Sequence, residues 1–130
     1  MKLRYFTLIG VLFLVSCAKP VPASEPLAAL PSRIDYETLT STLEKPGANV
    51  LIIDVRTKDE FDGGHLPGAV LIPYDVLSAN LSEPDKSRPI VVYCRSGRRS
   101  GIAARTLVEM GYQNVFDLGG INAWKGRLER

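Results

Sequence analysis

The sequence predicts an α/β protein with a central parallel sheet of about five strands and helices on both faces. Two observations carry this. Val50-Leu51-Ile52-Ile53 and Ile90-Val91-Val92-Tyr93 are short, continuous apolar runs rich in β-branched residues, as in strands buried on both faces. Around them lie segments with helical spacing and helix caps, and strands alternating with helices build parallel sheets.

The elements follow in order. Ile34 to Glu44 reads as a short strand and then a helix with Leu39 and Leu43 on one face, stopped by Lys45-Pro46-Gly47. After the strand at Val50–Ile53, Thr57 and Glu60 fit a capping box that opens a short helix, and Gly63-Gly64 ends it. Gly68 to Ile72 reads as a strand, Tyr74 to Leu81 as helical and Pro84 to Pro89 as loop. The strand at Ile90–Tyr93 precedes a helix from Ser100 to Met110. Ser100 can cap that helix, Ile102, Ala103, Leu107 and Met110 repeat at helical spacing, and Gly111 ends it. Val115-Phe116 is a last strand and Ile121 to Leu128 a closing helix.

Ahead of this domain, taken as residues 33–130, the chain carries an address. Met1-Lys2-Leu3-Arg4 is a short positive region, and Tyr5 to Val15 is apolar apart from Thr7 and Gly10. A bilayer span takes about twenty residues, so the run fits a secretory signal better. It ends in Leu14-Val15-Ser16-Cys17, which resembles the bacterial lipobox. The resemblance implies cleavage after residue 16 and a diacylglycerol thioether on Cys17. It places the protein on the periplasmic side of a bacterial membrane, and Ala18 leans toward the outer membrane. Two alternatives stay open: cleavage to a soluble periplasmic protein at Ser16-Cys17-Ala18, or an uncleaved anchor. Pro20, Pro22, Pro26 and Pro31 make residues 17–32 a proline-rich tether.

Composition excludes several functions. Lys2 and Arg4 are the only charged residues ahead of Cys17, so removing residues 1–16 leaves 14 basic and 14 acidic residues. A near-neutral chain gives no support to nucleic-acid binding. Cys17, Cys94 and His65 are the only cysteines and histidine, too few for a Cys/His zinc site, so neither metal nor cofactor is expected.

The chemistry centres on Cys94, at the carboxyl end of the strongest strand and followed by Arg95-Ser96-Gly97-Arg98-Arg99-Ser100. Gly97 lets the loop curl, and a curled loop turns backbone N–H groups inward as an anion nest. The helix that follows aims its positive end at the same point. Three arginines add to the field, so the thiol should ionise readily, and the thiolate is the nucleophile. An inert core cysteine would not usually be followed by so many arginines.

These residues carry a family resemblance. Ile53-Asp54-Val55-Arg56, Glu60-Phe61, Gly64-His65-Leu66-Pro67-Gly68-Ala69, Tyr93-Cys94-Arg95-Ser96-Gly97-Arg98-Arg99-Ser100 and Leu118-Gly119-Gly120-Ile121 with Trp124 resemble, in this order, the rhodanese homology domain. The likeness is to short single-domain bacterial sulfurtransferases and spans roughly Ile34 to Arg127. It implies that Cys94 attacks the outer sulfur of thiosulfate, releases sulfite, and keeps a persulfide that cyanide or a thiol then discharges. It implies that the N–H groups of Arg95 to Ser100 stabilise the persulfide and that Arg98 and Arg99 help hold the anionic donor.

Asp54 and Arg56 could frame the rim of the site or form a structural ion pair. His65 reads as a hydrogen-bonded structural histidine, and Trp124, with Leu128, as packing. The same fold is shared with cell-cycle phosphatases whose loop is Cys-x5-Arg. Here the sixth position after Cys94 is Ser100 and the arginine falls one earlier, at Arg99, which argues for a single sulfur atom over a phosphoryl group. A passive sulfur-carrying module is a further alternative, and a disulfide oxidoreductase would lack a resolving cysteine.

Overall fold

The computed structural model describes residues 31–130. The signal segment, Cys17 and all but the end of the tether lie outside the described residues. The strands are β1 (Ser32–Arg33), β2 (Leu51–Asp54), β3 (Val70–Leu71), β4 (Ile90–Cys94) and β5 (Val115–Gly120). The helices are α1 (Tyr36–Leu43), α2 (Lys58–Asp62), α3 (Leu77–Asn80) and α4 (Arg98–Glu109), with a 3₁₀ turn at Ile121–Ala123. The strands form one sheet in the order β1-β5-β4-β2-β3, and every neighbouring pair is parallel.

Every residue of β4 is buried, which is why the strand reads as an unbroken apolar run. Its side chains alternate between two cores. Ile90, Val92 and Cys94 pack on one face with Leu77 of α3 and Ala103, Ala104 and Leu107 of α4. Val91 and Tyr93 pack on the other with Leu39 of α1, Leu66 and Leu118. Helices therefore cover both faces, as the sequence predicts. Burying a side chain such as Leu107 fully contributes about 2 kcal/mol.

The capping box of α2 forms: Thr57 Oγ1 accepts from Glu60 N at 3.4 Å, and Glu60 Oε2 accepts from Thr57 N at 3.1 Å. Other elements differ from expectation. The first strand is Ser32–Arg33, so it takes one residue from the expected tether and precedes Ile34, whose N–H reaches Asp117 O at 3.2 Å. Asp35 caps α1 by accepting from Thr38 N at 2.7 Å. Leu39 is buried, but Leu43 at the helix end is 38% exposed. The strand expected over 68–72 shrinks to two residues, and the helix expected over 74–81 to four, with no side-chain cap at Val76.

Two corrections concern the site. Ser100 is not the cap of α4: Gly97 holds that position, and Ser100 lies buried within the first turn. The closing helix over 121–128 is a single 3₁₀ turn. Trp124 tilts against Tyr36 with ring centroids 5.2 Å apart, and its Nε1 donates to Arg127 O at 3.1 Å. The indole lies so close over Gly126 that a Cβ there would sit 2.5 Å from it. The chain then returns as an extended segment, where Glu129 bridges His65 through two backbone hydrogen bonds of 2.9 Å.

Candidate active site

Residues 94–100 leave β4, curl, and enter α4. Gly97 makes the curl with φ of +106°, a region that strains residues bearing a Cβ. The turn brings Gly97 N to 3.0 Å from Cys94 Sγ, while Ser100 Oγ lies 3.7 Å from the same sulfur. The Ser100 hydroxyl also reaches Gly97 O at 3.1 Å, tying the loop to the first turn of the helix. Cys94 is 1% exposed, so burial pushes its thiol up. The backbone and hydroxyl of Ser100 and the N–H groups of Gly97 and Ser96 outweigh that, and the thiol ends below its ordinary value. The arrangement thus favours a thiolate surrounded by hydrogen-bond donors.

The end of β5 supports the loop from beneath. The β4–β5 register shifts at Val92/Tyr93, and Asp117 holds the irregularity by accepting from Gly119 N at 2.9 Å and Arg33 Nη1 at 2.8 Å. Gly120 then passes directly under the loop: a Cβ there would stand 2.7 Å from Arg95 O and 2.8 Å from Ser96 Cα. Gly120 is therefore a requirement of close approach, whereas Gly119 is one of backbone conformation, with φ of +86°.

The structure distributes the other expected site residues unevenly. Arg95, Ser96 and Arg98 are exposed around the loop, and among the described residues no hydrogen bond or ion pair engages the side chains of Arg95 and Arg98. Arg99 is engaged: its Nη1 and Nη2 donate to Glu60 Oε2 and Oε1 at 2.7 and 2.8 Å. Asp54 and Arg56 form a buried pair, with Arg56 Nε and Nη2 on the carboxylate at 2.9 and 2.6 Å. Arg56 Nη2 also donates to Gly64 O at 2.7 Å, and Tyr93 OH donates to Asp54 Oδ2 at 2.7 Å while accepting from Leu66 N at 3.0 Å. No bond of this network reaches Cys94. It fastens Gly64 and Leu66 to the sheet. His65 stacks on Phe61 at 3.7 Å, with Nδ1 3.0 Å from Phe61 O, again away from the thiol.

Two neighbours of the site were not legible as such. Tyr36, at the start of α1, donates its hydroxyl to Gly120 O, and burial, with the charge of Cys94 adding, pushes it up to about 12. Only the cap at Asp35 hints at where it sits. Glu60 reads from sequence as a capping residue and part of a family motif, and its contact with the site is hidden because its partner Arg99 is 39 positions away. Among the described residues no cluster of three or more His, Cys, Asp or Glu side chains could hold a metal ion.

Comparison with known proteins follows the same lines. The family described as "Rhodanese-like domain" matches residues 35–127. A protein named "Sulfurtransferase" from Allochromatium vinosum is 40% identical over 94 residues, covering 72% of this chain and 87% of that one. "Thiosulfate sulfurtransferase PspE" of Escherichia coli is 39% identical over 71 residues, covering 53% of this chain and 68% of that protein. The crystal structure of a rhodanese-like domain protein from Staphylococcus aureus superposes with a TM-score of 0.65 at 35% identity, covering 75% of this chain and 96% of that one. The matched region takes in strands β2 to β5 and the Cys94 loop, and relatives of the chain are named sulfurtransferases: it belongs to the rhodanese-like domain family.

Proposed function

We propose that the protein is a thiosulfate sulfurtransferase that carries sulfane sulfur as a persulfide on Cys94. The observation that carries this is the Cys94 sulfur, 3.0 Å from Gly97 N in a loop that opens α4 and lowers the thiol's pKa. The thiolate attacks the outer sulfur of thiosulfate or a related donor. A new S–S bond forms, the S–S bond of thiosulfate breaks, and sulfite leaves with the bonding pair. A cyanide or thiolate acceptor then attacks the terminal sulfur and Cys94 departs as thiolate. No general base is needed, and the two half-reactions give ping-pong kinetics.

The N–H groups of Arg95 to Ser100 hold the terminal sulfur, and the exposed Arg95 and Arg98 of the loop draw in the donor. Homologues named thiosulfate sulfurtransferase support the donor class. The proposal extends to the whole chain: export by residues 1–16 and attachment to a membrane by lipid on Cys17. The test is mass spectrometry of the intact protein after thiosulfate treatment. Cys94 should gain one sulfur and lose it on addition of cyanide, and Cys94→Ser should fold but neither gain sulfur nor turn over. Substantial transfer by a folded Cys94→Ser protein would exclude the mechanism.

A further inference from the structure

Glu60 lies on α2, outside the active-site loop, yet it grips a loop residue. Both of its oxygens receive Arg99, and Oε2 also accepts from the backbone N–H and hydroxyl of Thr57 at 3.1 Å each. A bidentate contact fixes the plane as well as the position of a guanidinium. The two side chains are only 20% and 26% exposed, so the pair is poorly screened by water. Its hydrogen bonds to Arg99 chiefly bring Glu60 down to about 2, so it stays charged near neutrality. Arg99 is raised first by the same contact, against burial, and further by the charges of Cys94 and Asp54, so it stands in the field of the reactive sulfur.

We propose that Glu60 is a specificity-determining positioning residue that withholds Arg99 from the sulfur donor. This rests on the sulfur-transfer reading of the Cys94 site. The donor then meets the loop N–H groups and the exposed side chains of Arg95 and Arg98, which no other side chain among the described residues engages. A donor with two negative charges gains less here than three available arginines would give it. Donors of lower charge, such as organic thiosulfonates and persulfides, compete with thiosulfate on more equal terms.

The test is calorimetric titration of the full chain carrying Cys94→Ser, with and without Glu60→Gln. The probes are thiosulfate, a dianion, and benzenethiosulfonate, a monoanion. Glutamine keeps an oxygen for Thr57 N–H and removes the charge. Releasing one partly exposed charge should tighten thiosulfate about three- to tenfold, with a smaller gain for the monoanion. Adding Arg99→Ala should cancel the gain. A thiosulfate Kd that is unchanged or weaker, equal gains for both probes, or a gain that survives loss of Arg99 would overturn the proposal. Should Glu60→Gln not fold, the comparison of Arg99→Ala with Arg98→Ala decides. With Glu60 intact, Arg99→Ala should weaken thiosulfate less than Arg98→Ala, and the opposite order overturns the proposal. Binding to the Cys94→Ser chain needs no turnover, so its outcome is distinct from whether native Cys94 takes up sulfur.

Discussion

Cys94 is almost wholly out of water, and burial alone would keep its thiol protonated. The opposing donors prevail because the loop aims several at one atom, Ser100 by backbone and hydroxyl and Gly97 and Ser96 by backbone. A lowered thiol pKa means that the thiolate fraction rises at lower pH than in a free cysteine. Alkylation of Cys94 by iodoacetamide should therefore reach half its maximal rate below the usual thiol range. Ser100→Ala removes a hydroxyl donor and should move that midpoint upward, slowing alkylation at neutral pH about threefold or more. A midpoint that stays put would assign the shift to the backbone alone. The sequence disclosed the nucleophile because a glycine, three arginines and a helix start stand within a few residues of it. It could not disclose the division of labour among the arginines, since Arg99's partner stands 39 positions away in α2.

The end of β5 and the start of α4 act as one unit around the thiol. Gly120 leaves less than 3 Å for any Cβ against Arg95 O and Ser96 Cα, and these are backbone atoms that cannot swing aside. Gly120→Ala must lift the loop or bend β5. Overpacking of this kind costs about 1–3 kcal/mol. It should also displace the loop N–H groups from Cys94 Sγ, so sulfur uptake should fall more steeply than thermal stability. Comparing the melting temperature with the persulfide yield in the same sample checks this, and full uptake by the variant would mean that the loop tolerates displacement. Elements with local signals were legible: the capping box of α2 and the runs of β2 and β4. The closing segment is a single 3₁₀ turn and not the helix its spacing suggests, and Trp124 packs on Tyr36, 88 positions away and beyond the reach of local propensity. Ser100 has the side chain of a cap, but the left-handed Gly97 three residues earlier starts the helix without any side-chain cap.

At the scale of the molecule, the alternation of strands and helices was enough for a parallel sheet with two covered faces, but not for the order β1-β5-β4-β2-β3. β1 is two exposed residues that pair with β5 alone, and no pattern in two residues can specify a neighbour. The placement does set a geometry: β1 follows directly on the proline-rich residues that lead back to Cys17. Lipid on Cys17 would hold the catalytic domain at a membrane surface. Buried acyl chains contribute about 0.8 kcal/mol per methylene, and one chain alone anchors only marginally. A diacylglycerol thioether plus an acylated amine should therefore keep the protein in the membrane fraction through salt washing, which releases charge-bound proteins. Cys17→Ala removes the only sulfur ahead of Cys94, apart from Met1, and with it the attachment chemistry. The native chain, expressed in a Gram-negative bacterium, should incorporate labelled palmitate and sediment with membranes, whereas Cys17→Ala should take up no label. The mass of the mature N-terminus separates the alternatives. A chain beginning at lipid-modified Cys17 supports the anchor, an unmodified start near Ala18 indicates a soluble periplasmic protein, and retention of Lys2 and Arg4 indicates an uncleaved segment. Equal labelling of native and Cys17→Ala chains would exclude the lipid at this position.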